Sequence, residues 1–170
     1  MTLQTMRMPL HAALLALMLV VGPAASAAAQ KLRSFDAESL DQIRATHPGK
    51  AFILAFWSTQ CVPCRDEMAQ LRTLKRKFPT LQVILVATDA PSQAEGIKRF
   101  LARYDPGPVQ RWAFADEFSE RVRYAVDPAW RGELPRTYFY DAAHRAVAKS
   151  GLIDAVWIEN WVAAQESGRR

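Results

Sequence analysis

Apolar residues are distributed along this chain in one long run, two short runs and several periodic stretches. The long run is Leu10 to Val21, broken only by His11 and closed by Gly22-Pro23. The first short run is Ala51-Phe52-Ile53-Leu54-Ala55-Phe56-Trp57, bounded by Pro48-Gly49 and Ser58-Thr59. Seven residues are too few for a long helix, and the bounded run reads as a strand covered on both faces, as in a parallel sheet. Leu81 to Ala87 reads as a second such strand. Between them Met68, Leu71, Leu74 and Phe78 recur at spacings of three and four. That spacing predicts a helix from about Val62 to Phe78 with one buried face, ended by Pro79. Met68 belongs to its core stripe. Strand, helix and strand together make a right-handed βαβ unit.

The remaining chain is read the same way. Lys31 to Phe35 is a short opening strand, and Asp36 is placed to cap a helix from Ala37 to Thr46 with a modest stripe at Leu40, Ile43 and Arg44. Asp89 or Ser92 is placed to cap a helix from Gln93 to Tyr104, with Ile97, Phe100, Leu101 and Tyr104 on one face. Asp105-Pro106-Gly107-Pro108 is a loop. A short strand, Arg111 to Ala115, and a helix, Phe118 to Val126, follow, and Asp127-Pro128 ends the helix. Leu134-Pro135 before Arg136 to Tyr140 suits a bend entering a strand. Asp141 to Arg145 predicts a hairpin turn and Ala146 to Leu152 its returning strand. Asp154 is placed to cap a closing helix through Trp157, Ile158, Trp161 and Val162, and the polar tail Glu166 to Arg170 is expected to be loose.

The long apolar run lies outside this alternation. Arg7 and the amino terminus precede it, and the small residues Ala24 to Ala29 follow it. That is the pattern of a secretory signal peptide. The run is short of the roughly 20 residues that span a bilayer, which disfavours an uncleaved anchor. The expectation is a signal peptide over 1–29, cleavage near Ala29, and one domain over 30–170.

Composition changes the picture in two places. The whole chain carries a formal charge of +5, and removal of Arg7 leaves 21 basic against 17 acidic residues, or +4. The basic residues are scattered, and the densest run, Lys75-Arg76-Lys77, falls in the last turn of a predicted helix, where it complements the helix dipole. Nucleic acid is therefore not an expected partner. The chain has two cysteines, Cys61 and Cys64, both in one Cys-x-x-Cys. An exported disulfide framework needs more widely spaced cysteines, and a zinc site needs about four ligands. Only His47 and His144 follow the signal segment, and neither is near another ligand in sequence. A redox-active pair is the favoured reading, with an inert local disulfide and a metal site as its rivals.

The placement of that pair carries the chemistry. It sits where a strand turns into a helix, with Pro63 just inside the helix, where a missing N–H costs nothing. The positive helix end then faces the Cys61 sulfur and stabilises its thiolate, the form that attacks disulfides.

With Phe56-Trp57 ahead of Cys61-Val62-Pro63-Cys64, and Leu134-Pro135-Arg136-Thr137 ahead of a hairpin, the chain resembles the thioredoxin superfamily. It is most similar to the exported TlpA/ResA-type thiol–disulfide oxidoreductases, over roughly Phe35 to Val162. The resemblance implies an α/β thioredoxin-like fold, a mixed central sheet flanked by helices, with a central insertion at about Ser92 to Trp130. It implies that Cys61 is the nucleophile and Cys64 the resolving thiol, the two forming the redox disulfide. Pro135 would match the family's cis-proline, with Leu134, Pro135 and Trp57 meeting substrate. Glu67, three residues after Cys64, falls where this subgroup carries a glutamate near the active site, and Pro63 supports the turn. No metal or organic cofactor is implied. The implied partners are protein substrates with disulfides or thiols and a membrane-embedded electron donor, in the periplasm or its equivalent. The implied activity is reduction of client disulfides, in cytochrome c maturation or copper-site assembly. The alternatives are a disulfide-donating oxidase, a metal chaperone or a binding module.

Three positions depart from the family pattern. Ala55 stands where thioredoxin has a buried aspartate. Gln60 replaces a tryptophan before the first cysteine, and Ala69 replaces a helix-kinking proline. DsbA-type sequences carry a histidine between the cysteines, whereas Val62-Pro63 adds no side-chain donor. The expectation is a reduction potential nearer thioredoxin's than DsbA's.

Overall fold

Strand β2 (Phe52–Trp57) has six buried side chains because it lies in the middle of a sheet covered on both faces. It pairs in parallel with β3 (Gln82–Ala87) and antiparallel with β5 (Arg136–Tyr140). The computed structural model describes residues 31–168. The expected signal peptide over 1–29 and its cleavage site near Ala29 lie outside the described residues.

Beyond β3 lie β4 (Gln110–Phe114) and the opening strand β1 (Arg33–Phe35), both parallel to their neighbours. Beyond β5 the hairpin returns as β6 (Ala146–Ser150). The order is β1-β4-β3-β2-β5-β6. This is the mixed central sheet expected of the chain. The segment between β3 and β5 forms a short 3₁₀ turn at Pro91–Gln93, helix α3 (Ala94–Arg103), β4, and helix α4 (Ser119–Val126). Its strand slots between β1 and β3, so the insertion widens the sheet rather than sitting outside it.

Alternation along β2 builds two cores. Ile53, Ala55 and Trp57 face one cluster with Met68 and Leu71 of helix α2 (Cys64–Lys77), Ile97 and Leu101 of α3, and Ile158 and Val162 of helix α5 (Ala155–Ser167). Phe52, Leu54 and Phe56 face the other, with Leu40 and Ile43 of helix α1 (Ser39–Thr46) and Val122 of α4. The apolar runs lack period two because both faces of these strands are dry.

Several predicted boundaries and caps shift. Helix α1 begins at Ser39 rather than Ala37, and Asp36 holds the preceding turn instead of the first helical turn. Its Oδ1 accepts from Ser39 Oγ at 2.6 Å and from the Glu38 N–H at 3.2 Å. Helix α2 begins at Cys64 rather than Val62, so Cys64 stands at the first helical position and Pro63 just before it. Asp89 does not cap α3; its carboxylate is engaged elsewhere, as described below. Glu166 and Ser167, expected in a loose tail, belong to α5, which continues through Ser167, while residues 169–170 lie outside the described residues. Asp154 does cap α5, accepting from the Trp157 N–H at 2.9 Å.

The basic end of α2 is also more than a solvated complement to the dipole. Lys75 is buried and donates to the carbonyls of Pro79 and Leu81 at 2.7 and 2.6 Å. A lysine head thus satisfies two carbonyls of the turn leading into β3, where the helix can no longer do so. Burial pushes its pKa below the usual lysine value.

Candidate active site

The parallel strands deliver their C-terminal ends to one edge of the molecule, and the cysteines sit there. The Trp57 carbonyl accepts from the Thr88 N–H at 2.8 Å, which closes β2 against β3. The chain then turns through Ser58, whose carbonyl accepts from the Cys61 N–H at 3.2 Å. Cys61 and Cys64 form a disulfide with Cα atoms 5.4 Å apart. The two sulfurs have unequal surroundings: Cys61 is partly exposed, while Cys64 is 0% exposed at the head of α2. Pro63 lies exposed between them with φ −67°, and its carbonyl accepts from the N–H groups of Asp66 and Glu67.

Three residues along α2 from Cys64, and so on the same helix face, is Glu67. It is buried rather than solvated as a helix-surface glutamate would be, at 4% exposure. Its Oε1 accepts from the Thr137 hydroxyl at 2.7 Å. Oε2 is buried and has no hydrogen-bond partner among the described residues. An ionised carboxylate with one unsatisfied oxygen in an apolar interior is costly. Desolvation accordingly raises the Glu67 pKa from 4.5 to about 7, against the lowering effect of the Thr137 bond. Thr137 pairs with Ala55 in the β2–β5 register. The carboxyl missing from β2 at Ala55 is thus supplied to the same region by the helix.

The start of β5 lies beside the end of β2, with Arg136 opposite Phe56. This brings Leu134-Pro135 to the cysteine edge of the sheet. The Leu134–Pro135 bond is cis, Pro135 is buried, and its carbonyl accepts from the Gly151 N–H at 2.8 Å. Leu134 is partly buried and packs against both core clusters.

The expectation of a substrate-facing Trp57 needs correction. Its side chain is 1% exposed and its ring packs against Phe100, centroids 4.7 Å apart. As the last residue of β2 it points into the core beneath α3, with no ring face for a partner. Arg65 is exposed, and its guanidinium lies over the Tyr104 ring, 5.6 Å from the centroid. His47 and His144 join at the opposite edge, where the His144 ring meets the His47 carbonyl at 3.0 Å beside the β5–β6 hairpin.

Two positioning devices were not visible in the sequence. Asp89, buried at the end of β3, accepts from the Thr59 N–H through both carboxylate oxygens, at 3.1 and 3.0 Å, and from the Thr59 hydroxyl. It fixes the loop two residues ahead of Cys61. Arg136 donates to Glu133, Ser150 and Asp127 at 3.1, 2.7 and 2.8 Å. Desolvation works to raise the Asp127 pKa. Hydrogen bonds from the Ala129 N–H, Arg136 and Tyr138 outweigh it and hold the carboxyl below its usual range. This network ties the segment around Pro135 to the end of α4. The Asp89–Thr59 and Arg136–Asp127 bonds have no local signal, since each joins segments that only the fold brings together.

Residues 23–150 match the AhpC/TSA family. The chain belongs to that family. The thiol-disulfide oxidoreductase ResA of Bacillus cereus (strain ZK) is 37% identical over 103 residues, 59% of this chain and 54% of that protein. ResA of Bacillus thuringiensis subsp. konkukian is 37% identical over 57 residues, 34% of this chain and 33% of that protein. The chain thus spans between a third and about half the length of these curated relatives. Among solved structures it is similar to a secreted disulfide oxidoreductase of Mycobacterium tuberculosis homologous to E. coli DsbE, with TM-score 0.57 and 21% identity over 71% of this chain and 85% of that one. StoA from Bacillus subtilis gives TM-score 0.52 and 18% identity over 68% and 84%. The fold of this AhpC/TSA chain is thioredoxin-like.

Proposed function

We propose that the chain is an exported thiol–disulfide oxidoreductase that reduces disulfides of protein clients. One observation carries the reading. A partly exposed Cys61 is bridged to a fully buried Cys64 at the head of α2, and a buried carboxyl whose pKa is about 7 follows three residues later. The ResA relatives support the same reaction class.

The reaction begins from the reduced pair. The Cys61 thiolate attacks one sulfur of the client disulfide, the client's S–S bond breaks, and its other sulfur leaves as a thiolate that takes up a proton. Cys61 and the client are then joined by a mixed disulfide. Cys64 gives its proton to Glu67, and the Cys64 thiolate attacks the Cys61 sulfur. The second client thiolate departs and is protonated. The client has gained two electrons and two protons, and the chain ends as the Cys61–Cys64 disulfide. Leu134 and Pro135, at the same edge, supply the backbone and apolar surface on which the client chain lies, and Pro63 holds the turn between the thiols. An oxidising compartment cannot regenerate the dithiol, so a membrane-embedded electron donor supplies the next electron pair. The clients are cysteines of apo-cytochromes c awaiting haem, or of copper-site assembly proteins.

Equilibration with glutathione tests the direction. Without a histidine between the cysteines, the potential belongs nearer thioredoxin's, about −270 mV, than DsbA's, about −120 mV. A value near the latter replaces the reductase reading with a disulfide-donating oxidase.

A further inference from the structure

Beside the disulfide lies an open cleft of about 730 Å³. Thr59, Gln60 and Arg65 line one side of it, and α3 contributes Arg99 and Arg103 on the other, with Tyr104 just past its end. Gln60 immediately precedes Cys61 and Arg65 immediately follows Cys64, so the near wall brackets the dithiol. The far wall belongs to the segment between β3 and β4.

The charge of this cleft is unbalanced. Its one acidic lining residue, Glu95, holds Lys98 at 2.6 Å and also faces the charge of Arg99, so a single carboxylate stands against Lys98 and three lining arginines. Among the described residues, Arg65, Arg99 and Arg103 make no salt bridge and no side-chain hydrogen bond. Arg65 and Arg103 instead lie over the Tyr104 ring, 5.6 and 5.3 Å from its centroid. Such stacking orients a guanidinium while leaving its in-plane N–H donors free, and those donors match a carboxylate in geometry and charge. Spacing adds a further constraint. Arg99 and Arg103 stand four residues apart on one helix, a rise of about 6 Å. Alternate side chains of an extended peptide repeat at about 6.6 Å.

We propose that this cleft docks an extended, acidic segment of the client, with Asp or Glu at alternate positions beside the client's reactive cysteine. The proposal rests on the exchange reading above and names the class of client that reaction serves. The alternating carboxylates meet Arg99 and Arg103, and Arg65 takes a third nearest the dithiol. The client cysteine is thereby delivered to Cys61 rather than left to random collision.

The test uses the full chain in its disulfide form and two fluorescent peptides without cysteine. One carries acids at alternate positions, and the other carries the corresponding amides. At low ionic strength the acidic peptide is expected to bind about tenfold tighter. The preference shrinks at about 0.15 M salt, where exposed charges are screened beyond about 8 Å. The double variant R99Q/R103Q is expected to bring the ratio to about one, with circular dichroism confirming that it is folded. Equal binding of both peptides by the native chain, or an undiminished preference in the variant, overturns the proposal. Oxidised glutathione provides a further arm. If its binding is lost in the variant while the peptides bind alike, the cleft serves a small thiol and the client assignment is wrong. Because these peptides have no cysteine, the outcome is independent of the exchange reaction, which fails separately if the reduced chain leaves cystine peptides unreduced.

Discussion

The Thr137 hydroxyl donates to Glu67 Oε1 at 2.7 Å, joining the helix that begins at Cys64 to the strand that follows Pro135. This single bond spans 70 residues of sequence and ties together two sides of the candidate site. It also leaves the second Glu67 oxygen without a partner among the described residues, which favours the protonated form.

Glu67→Gln is expected to change two pH profiles. The folded pKa of about 7 lies above the unfolded value of 4.5, so the folded state holds the proton longer. Stability is therefore full below about pH 4.5 and falls as pH rises through about 7, by on the order of 3 kcal/mol. Urea titrations across this range should show that fall in the native chain and not in the variant. The rate of client release should lose its inflection near pH 7 and drop by about 10²-fold. Identical profiles in both proteins would remove Glu67 from proton transfer.

The unequal exposure of the cysteines predicts asymmetric trapping. Cys64→Ala leaves the accessible Cys61 able to attack but removes the resolving thiol, so mixed disulfides with clients should accumulate on non-reducing gels. Cys61→Ala retains only the fully buried Cys64 and should trap few. More adducts on the Cys61→Ala variant would reverse the assigned roles.

Asp89→Ala should loosen the approach to Cys61. The Thr59 N–H and hydroxyl lose a charged acceptor at a largely buried site. The expected cost is about 2–3 kcal/mol in a denaturant titration, with slower thiol exchange. Asp89→Asn keeps one acceptor oxygen and should lie between the two. Exchange rates unaffected by Asp89→Ala would show that the loop is held by other contacts.

Gly96→Ala should stabilise α3. A Cβ there would meet Arg99 Nη2 no closer than 4.0 Å, within ordinary contact, and the helical backbone at Gly96 does not require glycine. The expected gain is about 0.5–1 kcal/mol, read as a rise in the denaturation midpoint. A loss instead would mean that the helix gives way at this position.

Elements whose signals are local were legible in the sequence. The apolar runs of β2 and β3, the amphipathic stripe of α2 with Met68 in its core, the hairpin after Tyr140 and the Asp154 cap all depend on neighbours a few residues away. The junction of strand and helix at Cys61 and Cys64 belongs with them, because the runs on either side define it. Where a boundary missed, as at Asp36, a short polar side chain served equally well in the turn before the helix as in its first turn.

Tertiary structure alone decided the surroundings of the cysteines. The sequence places Glu67 beside Cys64, but only the register of β5 against β2 sets Thr137 over its carboxyl and closes off water. It places Asp89 at the end of a strand, where capping the next helix and holding Thr59 are both possible to a local reading. It makes Trp57 a large aromatic beside the site, and only the packing of α3 sends that ring into the core. Periodicity reports which face of an element is dry, whereas the partner on that face, and hence the burial and proton affinity of a side chain, follows from strand order and register between segments tens of residues apart.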